Sequence, residues 1–319
     1  GEQLDRLRRY GSAEGDVPLL SKLGSSAWEK LKERTKEEIF QMASELIDLY
    51  AQRKSLPGFK YAADSTEMRE LEASFPFQET PDQLRTVEDV KKDMEQPNPM
   101  DRLVCGDVGY GKTEVAVRAA FKAVCDQKQV AVLVPTTILA QQHYQTFSER
   151  MLPFPVRVEV MSRFGTAKNL ERIAEDVKTG KVDVLIGTHR ILSKDVQFRD
   201  LGLLVVDEEQ RFGVKHKERL KQMKRQIDVV TLTATPIPRT MHMSLMGARD
   251  MSIINTPPQD RLPIHTEILT FDEGRIVEAI QREISRGGQV YFVHNRVQSI
   301  YSLSEYLQDL LPGARFAVA

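Results

Sequence analysis

The stretch RLVCGDVGYGKTEVAVRAA, residues 102–120, decides the fold class of this chain. An apolar run leads into an octapeptide, residues 106–113, that fits the P-loop pattern GxxxxGK(S/T) at every defined position. A helical pattern rich in alanine and valine follows it. Glycines allow such a loop to curl so that backbone N–H groups and a helix N-terminus face phosphate groups. The stretch therefore predicts a strand, a phosphate-binding loop and a helix within an α/β domain.

The loop predicts a site for ATP and Mg²⁺. Lys112 is placed to reach the β- and γ-phosphates, and the hydroxyl of Thr113 to ligate Mg²⁺. A glycine turn with a surface lysine is the alternative, and the apolar run before the loop and the helical pattern after it disfavour that alternative. The predicted nucleotide-binding residues of the loop are Gly106, Asp107, Val108, Gly109, Tyr110, Gly111, Lys112 and Thr113.

Two acidic residues, Asp207 and Glu208, follow the apolar run LLVV at residues 203–206. Ligand sites of α/β proteins form at the carboxyl ends of parallel strands, so both acids are expected beside the P-loop. We predict that Asp207 holds Mg²⁺ through water and that Glu208 polarises the water that attacks the γ-phosphate. The predicted catalytic residues are Lys112, Asp207 and Glu208, and the predicted metal-binding residues are Thr113 and Asp207.

Two residues upstream of the P-loop are candidates for binding adenine. The side-chain amide of Gln83 can donate and accept at once, as recognition of adenine requires. Phe75 offers an aromatic ring for contact with the base, or it caps the hydrophobic core.

Segments rich in hydroxyl groups follow three apolar runs: PTT at residues 135–137, GTHR at 187–190 and TATP at 233–236. Such hydroxyl and backbone N–H groups grip phosphates without reading base sequence. One segment of this kind alone would be an ordinary turn. Their recurrence after strands of one P-loop domain predicts a track for nucleic acid.

Short apolar runs alternate with helical patterns from about residue 69 to residue 255. This alternation predicts a parallel sheet covered by helices, because strands buried on both faces are rich in Val, Ile and Leu. The predicted strands are residues 102–105, 130–134, 156–161, 182–186, 203–206 and 229–232.

The chain divides into four predicted parts. Residues 1–24 read as the tail of an upstream domain, and residues 25–64 as a long amphipathic helix and linker. Whether that helix packs on its neighbour or joins two bodies stays open. Residues 65–256 are the predicted ATP-binding domain, and residues 257–319 the truncated start of a second α/β domain. In this last part the predicted helices are residues 273–286 and 300–311, and the predicted strands are 265–269, 289–294 and 314–318.

Composition limits the class of protein. The chain of 319 residues has a formal net charge of -1, so contact with nucleic acid must come from local loops and not from a generally basic surface. The two cysteines lack metal-ligand spacing, and no segment is typical of a signal peptide or membrane span. We therefore expect a cytoplasmic protein.

The motifs together resemble those of superfamily 2 helicases. The matching segments are residues 106–113 for motif I, 135–143 for motif Ia, 187–190 for motif Ib, 207–210 for motif II and 233–236 for motif III. The longer strings DEEQRFGV, residues 207–214, and TATPIPRT, residues 233–240, are similar to those of two families. These families are the bacterial transcription-repair coupling factors (Mfd) and the branched-DNA helicases of the RecG kind.

Three features favour the coupling factors. They are the loop GDVGYG at residues 106–111, the triplet DEE at 207–209, and an N-terminal stretch, residues 4–24 followed by Trp28, that resembles the end of that family's polymerase-interacting domain. The resemblance implies a RecA-like fold and an ATP-driven translocase on double-stranded DNA. It also implies displacement of stalled RNA polymerase, and recruitment of the excision-repair protein UvrA through regions outside this chain.

The resemblance further assigns binding residues. It adds Gln210 to the nucleotide site. The DNA track, taken with the hydroxyl-rich segments, comprises Thr136, Thr137, Ser162, Arg163, Phe164, Thr188, His189, Arg190, Thr233, Thr235, Asn295 and Arg296.

The family's motifs V and VI, with the arginine finger, are expected beyond Ala319, so we expect these 319 residues alone to hydrolyse ATP very weakly. Two other functions stay open. A fork-remodelling helicase of the RecG kind would use the same motifs on branched DNA. A polymerase-tethering module would use the nucleotide pocket only for regulation.

Overall fold

The computed structural model describes residues 56–162, 165–209, 227–234, 250–259 and 266–318, together with Glu33, Leu220 and Met223. Apart from Glu33, the long helix predicted for the N-terminal part lies outside the described residues, as do Arg163, Phe164, Gln210 and Thr235. The chain divides into two compact units, Gly1–Arg261 and Leu262–Ala319.

In the first unit, helices and strands alternate from residue 81 to residue 187. Its helices are α1 (Thr66–Ala73), α2 (Pro81–Met94), α3 (Lys112–Cys125), α4 (Thr137–Met151) and α5 (Ala167–Lys178). Its strands are β1 (Asp101–Gly106), β2 (Gln129–Leu133), β3 (Val158–Met161), β4 (Val184–Gly187), β5 (Leu201–Asp207), β6 (Asp228–Thr233) and β7 (Asp250–Ile254). A short 3-10 helix, His189–Leu192, follows β4.

The seven strands form one sheet in the order β3-β4-β2-β5-β6-β1-β7, and every pair in it is parallel. The six predicted strands are confirmed, with ends shifted by one or two residues. The sequence analysis missed β7, because this edge strand has an incompletely buried sequence, DMSII, that lacks a continuous apolar run. Since all strands are parallel, their carboxyl ends lie along one edge of the sheet.

Hydrophobic cores cover both faces of the sheet. In β2, Val130 and Val132 belong to the core that also contains Phe121 of α3 and Phe147 of α4. The intervening residues Ala131 and Leu133 belong to the core on the other face, beneath α5. Successive side chains of a strand point to opposite faces, so a strand buried on both sides must be apolar throughout. The predicted parallel sheet flanked by helices is confirmed.

The start of α2 is held by a capping box and by the edge of the sheet. Thr80 caps the helix, Pro81 occupies its first turn, and the backbone N–H of Gln83 donates to Thr80 Oγ1 over 3.3 Å. Asp82 Oδ2 accepts hydrogen bonds from the backbone N–H groups of Asn255 and Thr256, just after β7, over 2.9 and 3.0 Å. These contacts fix the position of Gln83.

The described part of the second unit contains α6 (Glu273–Ser285) and α7 (Ile300–Leu310), as predicted. The three strands predicted there are wrong: between residues 266 and 318 the structure forms none. A strand needs a hydrogen-bonded neighbour, and the apolar side chains of the predicted strand at 289–294 are instead open to solvent, with Tyr291 93% and Val293 90% exposed. Within the described part of the whole chain, no helix combines the length and apolar composition needed to cross a membrane.

Candidate active site

The parallel sheet brings the predicted catalytic segments to one edge. The P-loop follows β1, Asp207 ends β5, and Thr233 ends β6, which lies between those two strands. Asp207 pairs with Leu232, one residue before Thr233, and Thr233 pairs with Cys105. Two strand spacings, roughly 10 Å, therefore separate Asp207 from the end of β1.

The P-loop adopts a conformation that requires glycine. Gly109 and Gly111 have φ angles of 82° and 78°, in the left-handed region that L side chains rarely adopt. A Cβ at Gly111 would also lie 2.4 Å from Gln83 Nε2. Gly111 is the N-cap of α3, which has no side-chain cap, so the positive end of the helix is left for an anion.

Lys112 lies in a partly buried site whose nearby negative charges do not fully compensate for the burial of its ammonium group. Its Nζ donates to the carbonyl oxygens of Gly106 and Asp107 over 2.6 and 2.9 Å. Burial lowers the pKa of Lys112 below its usual value, and the negative charges of Asp207, Glu208 and Asp107 only partly offset that effect. The charges of both motif II acids therefore act on the P-loop lysine, and their common role in a nucleotide site stays a prediction.

Glu208 has a strained backbone and a fixed side chain. Its φ angle is 52°, a conformation that costs roughly 1 kcal/mol for a residue with a Cβ. The backbone N–H of Glu208 donates to the carbonyl of Leu232 over 3.0 Å, and its Oε1 accepts from the backbone N–H of Ala234 over 3.0 Å. These bonds join the predicted base directly to the TAT segment at 233–235.

His143 is a site residue that the sequence analysis missed. Its Nε2 lies 3.0 Å from Asp207 Oδ2, and the residue is buried on α4. Ala140, His143 and Phe147 share one buried face of that helix. A polar residue on an otherwise apolar helical face was the signal that could have found it.

Both polar atoms of the Gln83 amide form hydrogen bonds in this structure. Its Oε1 accepts from the backbone N–H of Thr80 over 2.8 Å, and its Nε2 donates to the carbonyl of Tyr110 over 2.9 Å. The side chain therefore fastens α2 to the P-loop. Binding of adenine by Gln83 stays a prediction.

Phe75 packs among other groups. The guanidinium carbons of Arg118 and Arg150 lie 5.3 and 5.4 Å from its ring centre, and Phe77 makes an edge contact with it. The half-buried ring is thus part of the domain's packing, which is the alternative that the sequence analysis left beside adenine contact.

Replacing Gln83 with alanine is expected to lower the free energy of unfolding by about 1–2 kcal/mol, because two side-chain hydrogen bonds are lost: the one from Thr80 N–H in the capping box and the one to the carbonyl of Tyr110. The preference for ATP over GTP should fall as well if Gln83 also contacts adenine. Chemical denaturation and nucleotide titration measure the two effects. Gln78→Ala, at an exposed position nearby, is the control. Equal stability of the two variants would contradict the structural role of Gln83.

The predicted DNA track is only partly on the surface. Thr136 is exposed as the N-cap of α4, Thr137 and Ser162 are half-buried, and His189 is exposed. Thr188, in contrast, is 3% exposed, so its hydroxyl is not available to DNA in this conformation. Thr233 is also buried.

Three charged or polar residues of the track differ in how available they are for contact with phosphate. The guanidinium of Arg190 is paired with the carboxylate of Asp195, with N–O distances of 2.7 and 2.5 Å, and would have to exchange that partner for a phosphate. Asn295 and Arg296 are exposed in the second unit.

Comparison with known proteins agrees with this geometry. The pattern of the DEAD/DEAH box helicase family matches residues 80–244, just over half of the chain. The transcription-repair-coupling factor of Staphylococcus aureus (strain USA300) is 55% identical over 318 residues, which is 100% of this chain and 27% of that protein. The chain therefore spans well under half the length of the coupling factors it matches.

Solved structures show the same architecture. RecG bound to a three-way DNA junction is 32% identical with a TM-score of 0.74, over 89% of this chain and 38% of that one. The DUF1998 helicase MrfA bound to DNA is 14% identical with a TM-score of 0.57, over 80% of this chain and 40% of that one, and shows the fold alone.

The RecA-like fold and the resemblance to the coupling factors are thus confirmed. The family pattern begins at the cap of α2 and includes the P-loop, motif II and the segment after β6. Because this pattern matches more than half of the chain, the chain belongs to the DEAD/DEAH box helicase family.

Proposed function

We propose that this chain binds Mg·ATP and forms the ATP-hydrolysing part of a double-stranded DNA translocase of the coupling-factor kind. The observation that carries the proposal is the common site of Lys112, Asp207 and Glu208 at one edge of the sheet. The identity of 55% with a coupling factor supports the choice of this translocase over other helicases.

The residues divide the chemistry among them. Lys112 would bind the β- and γ-phosphates together with the N–H groups of the P-loop, and Thr113 and Asp207 would hold Mg²⁺, with Asp207 acting through water. Bound Mg²⁺ supplies positive charge that neutralises the phosphates. Glu208 would orient the attacking water and accept its proton at a carboxylate oxygen. Gln83 and Gln210 would contact the base side of the nucleotide.

Contact with DNA would come through hydroxyl and N–H groups at the carboxyl ends of the strands. Thr136, the exposed cap of α4, is the best-placed of these groups in the first unit. The Glu208–Ala234 hydrogen bond would let the segment after β6 sense the state of the catalytic base. Such contacts grip the phosphate backbone without sequence preference, as a translocase needs.

The proposed partners follow from the coupling factors. They are double-stranded DNA and RNA polymerase, with UvrA contacting segments outside this chain. A fork-remodelling helicase is a second candidate, because the chain is 32% identical to RecG in a structure with a three-way DNA junction.

The test uses a chain extended to the full length of the coupling factors. We expect ATP turnover to rise severalfold with linear duplex DNA, a DNA triplex to be displaced, and stalled RNA polymerase to be released. Branch migration of a synthetic fork without polymerase release would favour the RecG-like candidate instead. No ATP turnover with any DNA would contradict both enzymatic functions.

A further inference from the structure

His143 makes a contact that the proposed chemistry does not yet use. The ring lies against the carboxylate that is proposed to hold Mg²⁺, with Nε2 3.0 Å from Asp207 Oδ2. The two side chains are only 6% and 14% exposed. A carboxylate removed from water to this degree needs a hydrogen-bond donor, and the imidazole ring supplies it.

The surroundings of the ring define which nitrogen carries the hydrogen. Nδ1 is buried and, among the described residues, has no hydrogen-bonding partner. Among the described residues, a hydrogen on Nδ1 would be a buried donor without an acceptor, whereas a hydrogen on Nε2 points at Asp207. We assign the hydrogen to Nε2, which donates to Oδ2.

The helix that carries His143 holds the ring in place. Phe147, one turn later on α4, is fully buried, and its ring centre lies 6.1 Å from that of His143. Met151, after a further turn, is 1% exposed. With α4 anchored in the core, the imidazole cannot follow a rotation of the Asp207 carboxylate without losing packing.

We propose that His143 is a positioning residue, which orients the carboxylate of Asp207 so that it can hold the Mg²⁺ of Mg·ATP. The inference rests on the proposed function, since it concerns the same metal site. Oδ2 is fixed by the ring, and this sets the plane of the carboxylate before the metal arrives. Loss of a hydrogen bond that orients a metal-holding group typically costs about 10- to 100-fold in metal affinity.

The structure offers a matched pair of substitutions. His143→Leu introduces an apolar side chain of similar size and removes the hydrogen-bond donor. His143→Gln places an amide nitrogen near the position of Nε2. It loses no hydrogen bond at Nδ1, because Nδ1 has no hydrogen-bonding partner among the described residues. Thermal unfolding of both variants shows whether the first unit still folds.

The experiment titrates Mg²⁺ into the 319-residue chain with a fluorescent N-methylanthraniloyl-ATP and records nucleotide affinity with and without the metal. For His143→Leu we expect the half-maximal Mg²⁺ concentration to rise about tenfold or more, with the metal-free affinity unchanged. For His143→Gln we expect a value within about threefold of the original chain, since the hydrogen bond is kept. In the background of Asp207→Asn, His143→Leu should have no further effect, because the ring acts through that carboxylate.

The outcomes separate the two proposals. If the unchanged chain fails to bind the nucleotide with Mg²⁺, the proposed function is wrong, and this inference fails with it. If the unchanged chain binds Mg·ATP but His143→Leu has the same Mg²⁺ dependence, only the positioning role is overturned. Equal loss of affinity with and without Mg²⁺, or no rescue by glutamine, would also overturn it in favour of a purely structural role.

Discussion

Replacing Lys112 with alanine is expected to weaken the binding of Mg·ATP by about 10- to 100-fold. A hydrogen bond to a charged group contributes about 1.5–3 kcal/mol, and every 1.4 kcal/mol is a factor of ten in affinity. In an extended chain the same change should abolish DNA-stimulated ATP turnover. Lys112 is also the residue that distinguishes a motor from a tether, because a tether would keep its main activity without it.

Lys112→Ala should have only a small effect on the free energy of unfolding. Alanine removes the hydrogen bonds from Nζ to the carbonyl oxygens of Gly106 and Asp107. It also removes a partly buried ammonium group, and that burial lowers the pKa of Lys112. A lowered lysine pKa means that folding disfavours the charged form, so the two losses act in opposite directions on the free energy of unfolding. A defect in nucleotide binding can therefore be attributed to the site itself.

Isothermal titration with Mg·ATP measures the affinity, and Lys92→Ala is the matched control. Lys92 lies on α2 with its side chain 67% exposed, so its loss should leave binding unchanged. Unchanged affinity in Lys112→Ala, with every activity of the extended chain preserved, would refute the motor and leave the tether as the remaining function.

The parts of the fold that could be predicted from sequence are those fixed by local pattern. The strands with continuous Val, Ile and Leu runs were found because burial on both faces restricts them to apolar residues. The loop at residues 106–113 was found because left-handed φ angles restrict Gly109 and Gly111 to glycine. The edge strand β7 was missed because exposure relaxes that restriction. In the second unit, the apolar runs at residues 289–294 and 314–318 were wrongly predicted to be strands. They have no neighbouring strand to pair with between residues 266 and 318.

The sequence predicts the candidate residues of the site one by one, but not the contacts that join them. Lys112, Asp207 and Glu208 were found from motifs that each lie within a few residues. The contact of His143 with Asp207 joins residues 64 positions apart, and the one between Gln83 and Tyr110 joins residues 27 apart. Such contacts depend on the order of strands and on helix packing, which local spacing does not encode. The left-handed conformation of Glu208 likewise results from its bonds to Leu232 and Ala234.

Replacing Gly187 with alanine is expected to lower the free energy of unfolding of the first unit by about 1–3 kcal/mol, the usual cost of overpacking a core. A Cβ at this position would lie 2.3 Å from the carbonyl oxygen of Met161 and 3.2 Å from Ile191 Cγ1. The first of these is a backbone atom, so no side-chain rotation relieves the clash. Gly187 is at the end of β4, which is held between β3 and β2.

The clash should also affect the proposed DNA contacts. The carbonyl of Gly187 accepts a hydrogen bond from the backbone N–H of Val134 over 3.0 Å, so β4 cannot move away from β3 without disturbing β2. The clash with Met161 can therefore be relieved only if the end of β3 shifts, and this end leads directly into Ser162. We expect weaker binding of duplex DNA in addition to the loss of stability.

Urea denaturation and the midpoint of thermal unfolding measure the first effect, with a shift of about 2–4 °C for each kcal/mol in a domain of this size. Gly313→Ala is the control, because a Cβ there meets no atom within 4 Å. If the two variants unfolded at the same midpoint, β3 and β4 could not approach each other as closely at Gly187 as described. Gly187 has no left-handed φ angle, so the conformational freedom of glycine does not explain its presence at this position. A clear difference between the two midpoints would show that the position requires the absence of a side chain.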